Sequence, residues 1–390
     1  MDVKPGIQVL IENRLNLLTG KNVGAVVHPA SVLPDYVHSS DALSGIGGFH
    51  LVSLFGPQHG ARGEKQANMI ESDSYRDQDL DIPVHSLYGT TRIPSERMLH
   101  DVDILLFDLQ DVGTRVYTFI HTMTYCMEAC ARYGKKFIVL DRPNPITGVH
   151  VEGNLLQSGF RSFVGLRPIP MRHGMTVGEL ALMFNSEFDI HCDLTVIEME
   201  GWQRNKWFDE TGLPWVFPSP NLPTLDSAIV YPGTVLFEGT CVSEGRGTTH
   251  PFEIIGAPYI RGRKLAERLN GHGLPGVYFR PVFFQPTFHK WAGEVCGGVQ
   301  IHITDREVYE PYLTGIVVLV EIYAMFPKLF EWLAPPYEYE YEKMPIEILC
   351  GCGEVPKMIE SGVSPDAVRR YWSKDLEAFS RRRSRYLLYG

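Results

Sequence analysis

Four short apolar runs in the first part of the chain each lead into a polar or glycine-rich segment. His28-Pro29 follows residues 24–27, Gly56-Pro57-Gln58-His59-Gly60 follows 51–55, Asp108-Leu109-Gln110-Asp111 follows 104–107, and Asp141-Arg142-Pro143-Asn144 follows 137–140. Carboxylates, imidazoles, amides and guanidinium groups gathered in this way suit a hydroxyl-rich ligand. Paired carboxyl groups act on a glycosidic bond, and the aromatic residues of the chain would cover the apolar face of a sugar. Any polar crevice in an α/β protein offers a similar set, so residue types alone leave the ligand open.

The elements that must position these groups can be read from the apolar pattern. Short continuous runs of this kind are strands buried on both faces of a parallel sheet. Between the last two, residues 121–132 place Met123, Cys126, Met127 and Cys130 at helical spacing, which makes a strand-helix-strand crossover. The expected fold is α/β, with a Rossmann-like parallel sheet. In such sheets the carboxyl ends of the strands share one edge, so the four polar segments should meet in one crevice. Thr176-Val177-Gly178-Glu179 opens an apolar-periodic stretch and spells a capping box, which gives Glu179 a structural task. The proline-rich residues 213–224 suit neither helix nor central strand. They place a domain boundary near Asn221, between residues 1–221 and a smaller α/β domain at 222–390. Residues 337–341, YEYEY, form an acidic-aromatic stretch to which the pattern assigns no role.

Composition narrows the function classes. The chain has 390 residues, 44% of them hydrophobic and 21% charged, enough for two packed domains. A net charge of −10, with no basic run except Arg381-Arg382-Arg383 at a solvated helix end, argues against nucleic acid as a partner. The opening MDVKPGIQVLIENR lacks the apolar core of a secretory signal, and no stretch approaches the roughly 18 apolar residues of a membrane span. Seven scattered cysteines are expected as reduced thiols in a cytoplasm. Cys126 and Cys130 read as core, and Cys350 and Cys352 have no companions to complete a zinc site, so neither metal nor organic cofactor is expected. The glycine cluster Gly45-Ile46-Gly47-Gly48 precedes a strand instead of joining strand to helix, which argues against a nicotinamide enzyme. Walker, HExxH and GxSxG patterns are missing from the sequence.

More specific are LFGPQHGARG (54–63), SLYG (86–89), FDLQDVGTRVYTFI (107–120), LDRPNPITG (140–148), FRSFVGLRPIPMRHGMTVGEL (160–180), PSPNLPTLDSAIVYPGT (218–234) and EGTCVSEGRGTTHPFEIIGAP (238–258). In order, over essentially the whole chain, these segments resemble the NamZ family of exo-β-N-acetylmuramidases. The resemblance implies a Rossmann-like N-terminal domain, a smaller C-terminal α/β domain and an active-site cleft between them. It also implies a peptidoglycan-derived oligosaccharide or muropeptide substrate ending in N-acetylmuramic acid. The lactyl ether of that sugar carries a carboxylate that arginine can grip in a bidentate pair. Arg62, Arg115, Arg172 and Arg246 are the candidates, each of them otherwise half of an intraprotein ion pair.

Gln58 stands where the family usually carries glutamate, and an amide cannot do a carboxyl group's proton transfer near neutral pH. Three readings follow: another carboxylate acts, the family's glutamate is not the acid, or the chain binds muropeptides or amino sugars without cutting them. The matching motifs offer Glu244, Asp111, Glu64 and Glu152. Glu244 precedes Gly245-Arg246-Gly247, expected as a flexible turn able to carry acid and arginine toward a sugar. Asp111 either acts in catalysis or caps a helix. His59 and His173 either share a proton with a carboxylate or bond a sugar hydroxyl, and His59 joins the catalytic candidates. Gln58, Tyr117, Asn144 and Asn221 carry neutral donors and acceptors for hydroxyl or acetamido groups. Trp202, Trp207 and Trp215 are expected in packing. The mechanism implied is one protonated carboxyl assisting the leaving oxygen, with a second carboxylate activating water or stabilising an oxocarbenium-like transition state. Cytoplasmic recycling of wall fragments would reconcile such a substrate with the thiols.

Overall fold

The computed structural model describes residues 2–63, 65, 71 and 73–390. The four apolar runs form strands β1 (Asn22–Val26), β2 (His50–Gly56), β5 (Ile104–Phe107) and β6 (Lys136–Leu140) of a seven-stranded sheet. With β3 (Tyr75–Arg76), β4 (Pro83–Ser86) and β7 (Asp193–Ile197) the order is β3-β4-β2-β1-β5-β6-β7. All neighbours are parallel except β3, which runs antiparallel to β4 at the edge. β2 and β5 flank β1 on opposite sides, so the strand order reverses there, the place where open α/β sheets hold their ligands. β5 is buried at all four positions, as a strand covered on both faces must be.

Helix α1 (Phe119–Tyr133) is the crossover from β5 to β6, and it buries Met123, Cys126, Met127 and Cys130 against the sheet. It ends at Gly134, whose φ of 63° closes the last turn. Helix α2 (Val177–Glu187) begins at the Thr176–Glu179 capping box, and Glu179 also pairs with Arg204. The proline-rich segment has neither helix nor strand beyond a short 3-10 turn at Phe208–Glu210 that precedes it.

A second, three-stranded antiparallel sheet follows, ordered β8-β10-β9, from β8 (Ile254–Ala257), β9 (Val277–Phe284) and β10 (Cys296–Ile303). Around it lie α3 (Leu225–Thr234), α4 (Gly262–Gly271), α5 (Pro311–Met325) and α6 (Pro365–Arg383). α5 is apolar on every side and buried along most of its length, as a helix inside a core should be. It crosses α3 at Gly233 and Gly315, where a Cβ on Gly233 would overlap the Pro311 carbonyl oxygen and one on Gly315 the Gly233 carbonyl oxygen.

The two halves are joined through buried polar groups. The Glu152 carboxylate accepts from the backbone N–H of Tyr312 (3.2 Å) and Leu313 (2.7 Å), capping the first turn of α5 from outside the helix. Arg115, fully buried, donates to the carbonyl oxygens of Asn154, Ile169, Leu349 and Cys350 at 2.8–3.2 Å. The tail beyond α6 returns to the first sheet, where the Tyr389 hydroxyl donates to Asp141 at 2.6 Å beside the end of β6. Among the described residues, no helix is long and apolar enough to cross a membrane.

Candidate active site

One of the four strand-end segments, the loop after β2, reaches a polar cavity, and the chain running from β5 into α1 reaches it beyond residues 108–111. Gln58 and His59 come from the loop after β2, and Tyr117 and Thr118 from the loop that runs from β5 into α1. Val116, Val164, the proline-rich segment's Ser219 and Leu222, Tyr231 of α3, and Arg246, Phe252, Tyr337 and Glu338 from the second half line it too. The segments after β1, β5 and β6 (28–29, 108–111 and 141–144) lie outside the lining, so the four do not meet in one crevice as expected. Arg142 after β6 forms a buried bidentate pair with Asp108 after β5, at 2.6 and 2.9 Å, and Ser39 donates a further hydrogen bond to Asp108. His28 after β1 is buried beside them against Phe119.

At the centre, Gln58 donates through Nε2 to Glu338 Oε1 (3.1 Å) and to the Tyr88 hydroxyl (3.3 Å), while its Oε1 accepts from Thr118 (2.7 Å). Tyr88 in turn donates to Glu338 Oε2 at 2.6 Å. Thr118 occupies the N-cap of α1 but makes no capping bond with its side chain. Glu338 is the one carboxyl-bearing residue among the described residues that lines the cavity, and it is 2% exposed. Burial pushes its pKa up to about 7, helped by the charge of Glu238 and opposed by the hydrogen bonds from Tyr88 and Gln58. It sits in the YEYEY stretch, in a tight turn closed by two backbone hydrogen bonds between Tyr337 and Glu340. Both central residues are left-handed, Glu338 at φ 46° and Tyr339 at φ 64°. Bulky side chains avoid that region, at a cost of roughly 1–3 kcal/mol per residue. The turn is held from outside: the Arg92 guanidinium stacks on the Tyr339 ring, 3.9 Å from its centroid.

His59, itself at φ 73°, places Nδ1 2.7 Å from the Lys65 carbonyl oxygen, which makes Nδ1 the protonated nitrogen, and Nε2 3.3 Å from the Ser219 hydroxyl. Burial lowers its pKa to about 4, so the ring is neutral at pH 7 and acts as a hydrogen-bonding group. Arg246 pairs with Glu238 at 2.5 Å and with Glu244 at 3.3 Å, and Tyr337 donates to the other Glu238 oxygen. Gly245 and Gly247 on either side are left-handed (φ 79° and 80°) and packed against backbone, so the expected flexible turn is a fixed one. Glu244 lies outside the cavity lining. It is fully buried among Lys290 (2.7 Å), Arg246 and His289, and the Lys290 and Arg246 charges hold its pKa down against burial.

The remaining sequence candidates divide by position. Tyr117 lines the cavity and donates to the Pro218 carbonyl oxygen at 2.9 Å, while Asn221 is buried between two lining positions, Ser219 and Leu222. Asp111 accepts from Gly113 N–H at 2.7 Å and lies 3.2 Å from His173 Nε2, in a buried pair away from the lining. Asn144 bridges Met175 and Ile146, Arg172 donates to the Ile146 carbonyl oxygen, and Arg115 and Glu152 join the two halves. Arg62 pairs with Asp77 at 3.0 Å. Glu64 lies outside the described residues. Trp202 and Trp207 are buried and Trp215 packs edge-on against Phe208, so the three belong to packing. Sequence reasoning passed over Glu338, Glu238 and Tyr88. The YEYEY stretch was the available signal for Glu338.

Comparison with known proteins places this arrangement. The chain is 48% identical over 387 residues to the peptidoglycan β-N-acetylmuramidase NamZ of Bacillus subtilis (strain 168), covering 99% of this chain and 91% of that protein. Crystal structures of two DUF1343 family proteins from Bacteroides fragilis superpose with TM-scores of 0.90 and 0.79, at 37% and 33% identity, each covering 100% of this chain and 99% of the other. Residues 23–226 match the family described as exo-β-N-acetylmuramidase NamZ, N-terminal, and residues 229–389 match its C-terminal counterpart. With both parts matched in order, the chain belongs to the exo-β-N-acetylmuramidase NamZ family.

Proposed function

We propose that this protein is a glycoside hydrolase that releases N-acetylmuramic acid from the non-reducing ends of peptidoglycan fragments, and that the cavity around Gln58 and Glu338 is its active site. The observation that carries the activity is 48% identity over 99% of the chain to a peptidoglycan β-N-acetylmuramidase. Support for the site is the cavity's position at the sheet's reversal point, lined from both halves of the chain, which meet near Asn221 in this reading. Gln58, His59, Tyr117 and Arg246 face the sugar in this reading, the amide and hydroxyl groups toward its hydroxyl and acetamido substituents. A carboxyl group 3.1 Å from the Gln58 amide weakens the case for a binder that cannot cut. We place the reaction in the cytoplasm, supported by seven unpaired cysteines, six of them buried.

Mass spectrometry of the products tests the activity. A disaccharide with N-acetylmuramic acid at its non-reducing end should release that sugar, and the same disaccharide capped with N-acetylglucosamine should stay intact. Binding of the first substrate without release would overturn the hydrolase reading.

A further inference from the structure

Cleaving a glycoside requires a proton for the departing oxygen, and Gln58 has none to give. Beside it, Glu338 lines the same cavity. Its two carboxyl oxygens are each held by one donor, Oε1 by Gln58 and Oε2 by Tyr88, which fixes the plane of the group and leaves each oxygen capacity for another partner. The left-handed backbone at Glu338 and Tyr339 is the kind of local strain that persists where surrounding contacts over-determine a functional group, and here Arg92 clamps the neighbouring ring. We propose that Glu338 is the general acid of this active site and that Gln58 and Tyr88 are its positioning residues. The inference rests on the muramidase reading of the cavity.

The Glu338 proton passes to the glycosidic oxygen as the bond from that oxygen to the anomeric carbon breaks, and the bonding pair leaves with the oxygen. A water oxygen then bonds to the anomeric carbon, and the proton that water sheds restores Glu338. Burial and the nearby charge of Glu238 favour the protonated form up to about pH 7, against Tyr88, Gln58 and the Arg92 charge. Glu238 itself is ion-paired with Arg246.

The test compares two substrates with the same N-acetylmuramyl group: the disaccharide, whose leaving alcohol needs a proton, and a dinitrophenyl glycoside, whose phenolate leaves without one. Glu338→Gln should lower kcat/KM for the disaccharide by about 10²–10⁴-fold and for the aryl glycoside by less than about tenfold. The wild type should lose kcat/KM above an apparent pKa near 7 on the disaccharide alone, a measurement that needs no variant to fold. Tyr88→Phe, by removing a donor to the carboxylate, should move that limb upward. Equal losses on both substrates, no loss in Glu338→Gln, or a disaccharide profile without the alkaline limb would each overturn the assignment. If the wild type cleaves neither substrate, the muramidase reading itself falls. If it cleaves both and Glu338→Gln is indifferent, only the acid assignment falls.

Discussion

The amide nitrogen of Gln58 lies 3.1 Å from the carboxylate of Glu338, joining positions 280 residues apart in the chain. Replacing the amide by a carboxyl would set two acids at hydrogen-bonding distance in a buried site, where like charge forces them to share a proton. Gln58→Glu should therefore raise the alkaline limb of the pH–activity profile by about one unit or more. Measuring kcat/KM across the neutral and alkaline range decides it, and an unmoved limb would mean that the two side chains do not sense each other.

Arg115 spends its guanidinium on four backbone carbonyls from both halves of the chain. Arg115→Met keeps the stem and removes every one of those donors. At roughly 1–3 kcal/mol per buried acceptor left bare, the loss should reach about 4 kcal/mol in urea unfolding. A loss below about 1 kcal/mol would show that water takes the place of the guanidinium.

His121, fully buried in α1 with Nε2 2.8 Å from the Arg115 carbonyl oxygen, has its pKa lowered by burial to about 4. In the unfolded chain it takes a proton below about pH 6.5. Between 6.5 and 4 the unfolded state thus binds more protons than the folded one, and the stability present above pH 6.5 is lost as the pH falls. The loss from this residue is on the order of 3 kcal/mol over that window. His121→Leu should flatten the curve, so wild type and variant should differ more at pH 7 than at pH 4.5. A constant difference would place the acid sensitivity elsewhere.

The crossing of α3 and α5 leaves no room for a methyl group at Gly233. Gly233→Ala should cost about 2 kcal/mol or more through overpacking, even though alanine is the better helix former by about 1 kcal/mol. Thermal unfolding reads the outcome, and an unchanged Tm would show that the two helices separate freely.

The framework was legible because burial on both faces leaves a plain mark: residues 104–107 and 137–140 are continuous apolar runs, and they are β5 and β6. The Thr176–Glu179 cap was legible because all its partners lie within one turn. The site was readable only in part. Gln58 and His59 could be named because they follow strand β2 directly, and Tyr117 because it stands in the matching motif 107–120. Glu338 could not, because it reaches the cavity through a left-handed turn late in the chain, and what gives it meaning is a contact with Gln58. Arg115 and Arg172 sat in matching motifs beside Arg246, yet only Arg246 lines the cavity. A guanidinium that grips a ligand and one that grips backbone carbonyls have the same letter and similar neighbours. The difference appears only in three dimensions.

Tyr389 closes over Asp141 at the end of β6, and Asp141 in turn accepts from Thr176 and Gly178 at the start of α2. The first sheet therefore depends for its last covering on residues made about 250 positions after β6. During synthesis, β1 to β7 emerge from the ribosome well before that tail exists. Until then the Asp141 end of β6 stands without its Tyr389 contact. A chain cut short in α6 would have nearly all of its strands and helices and lack this last contact.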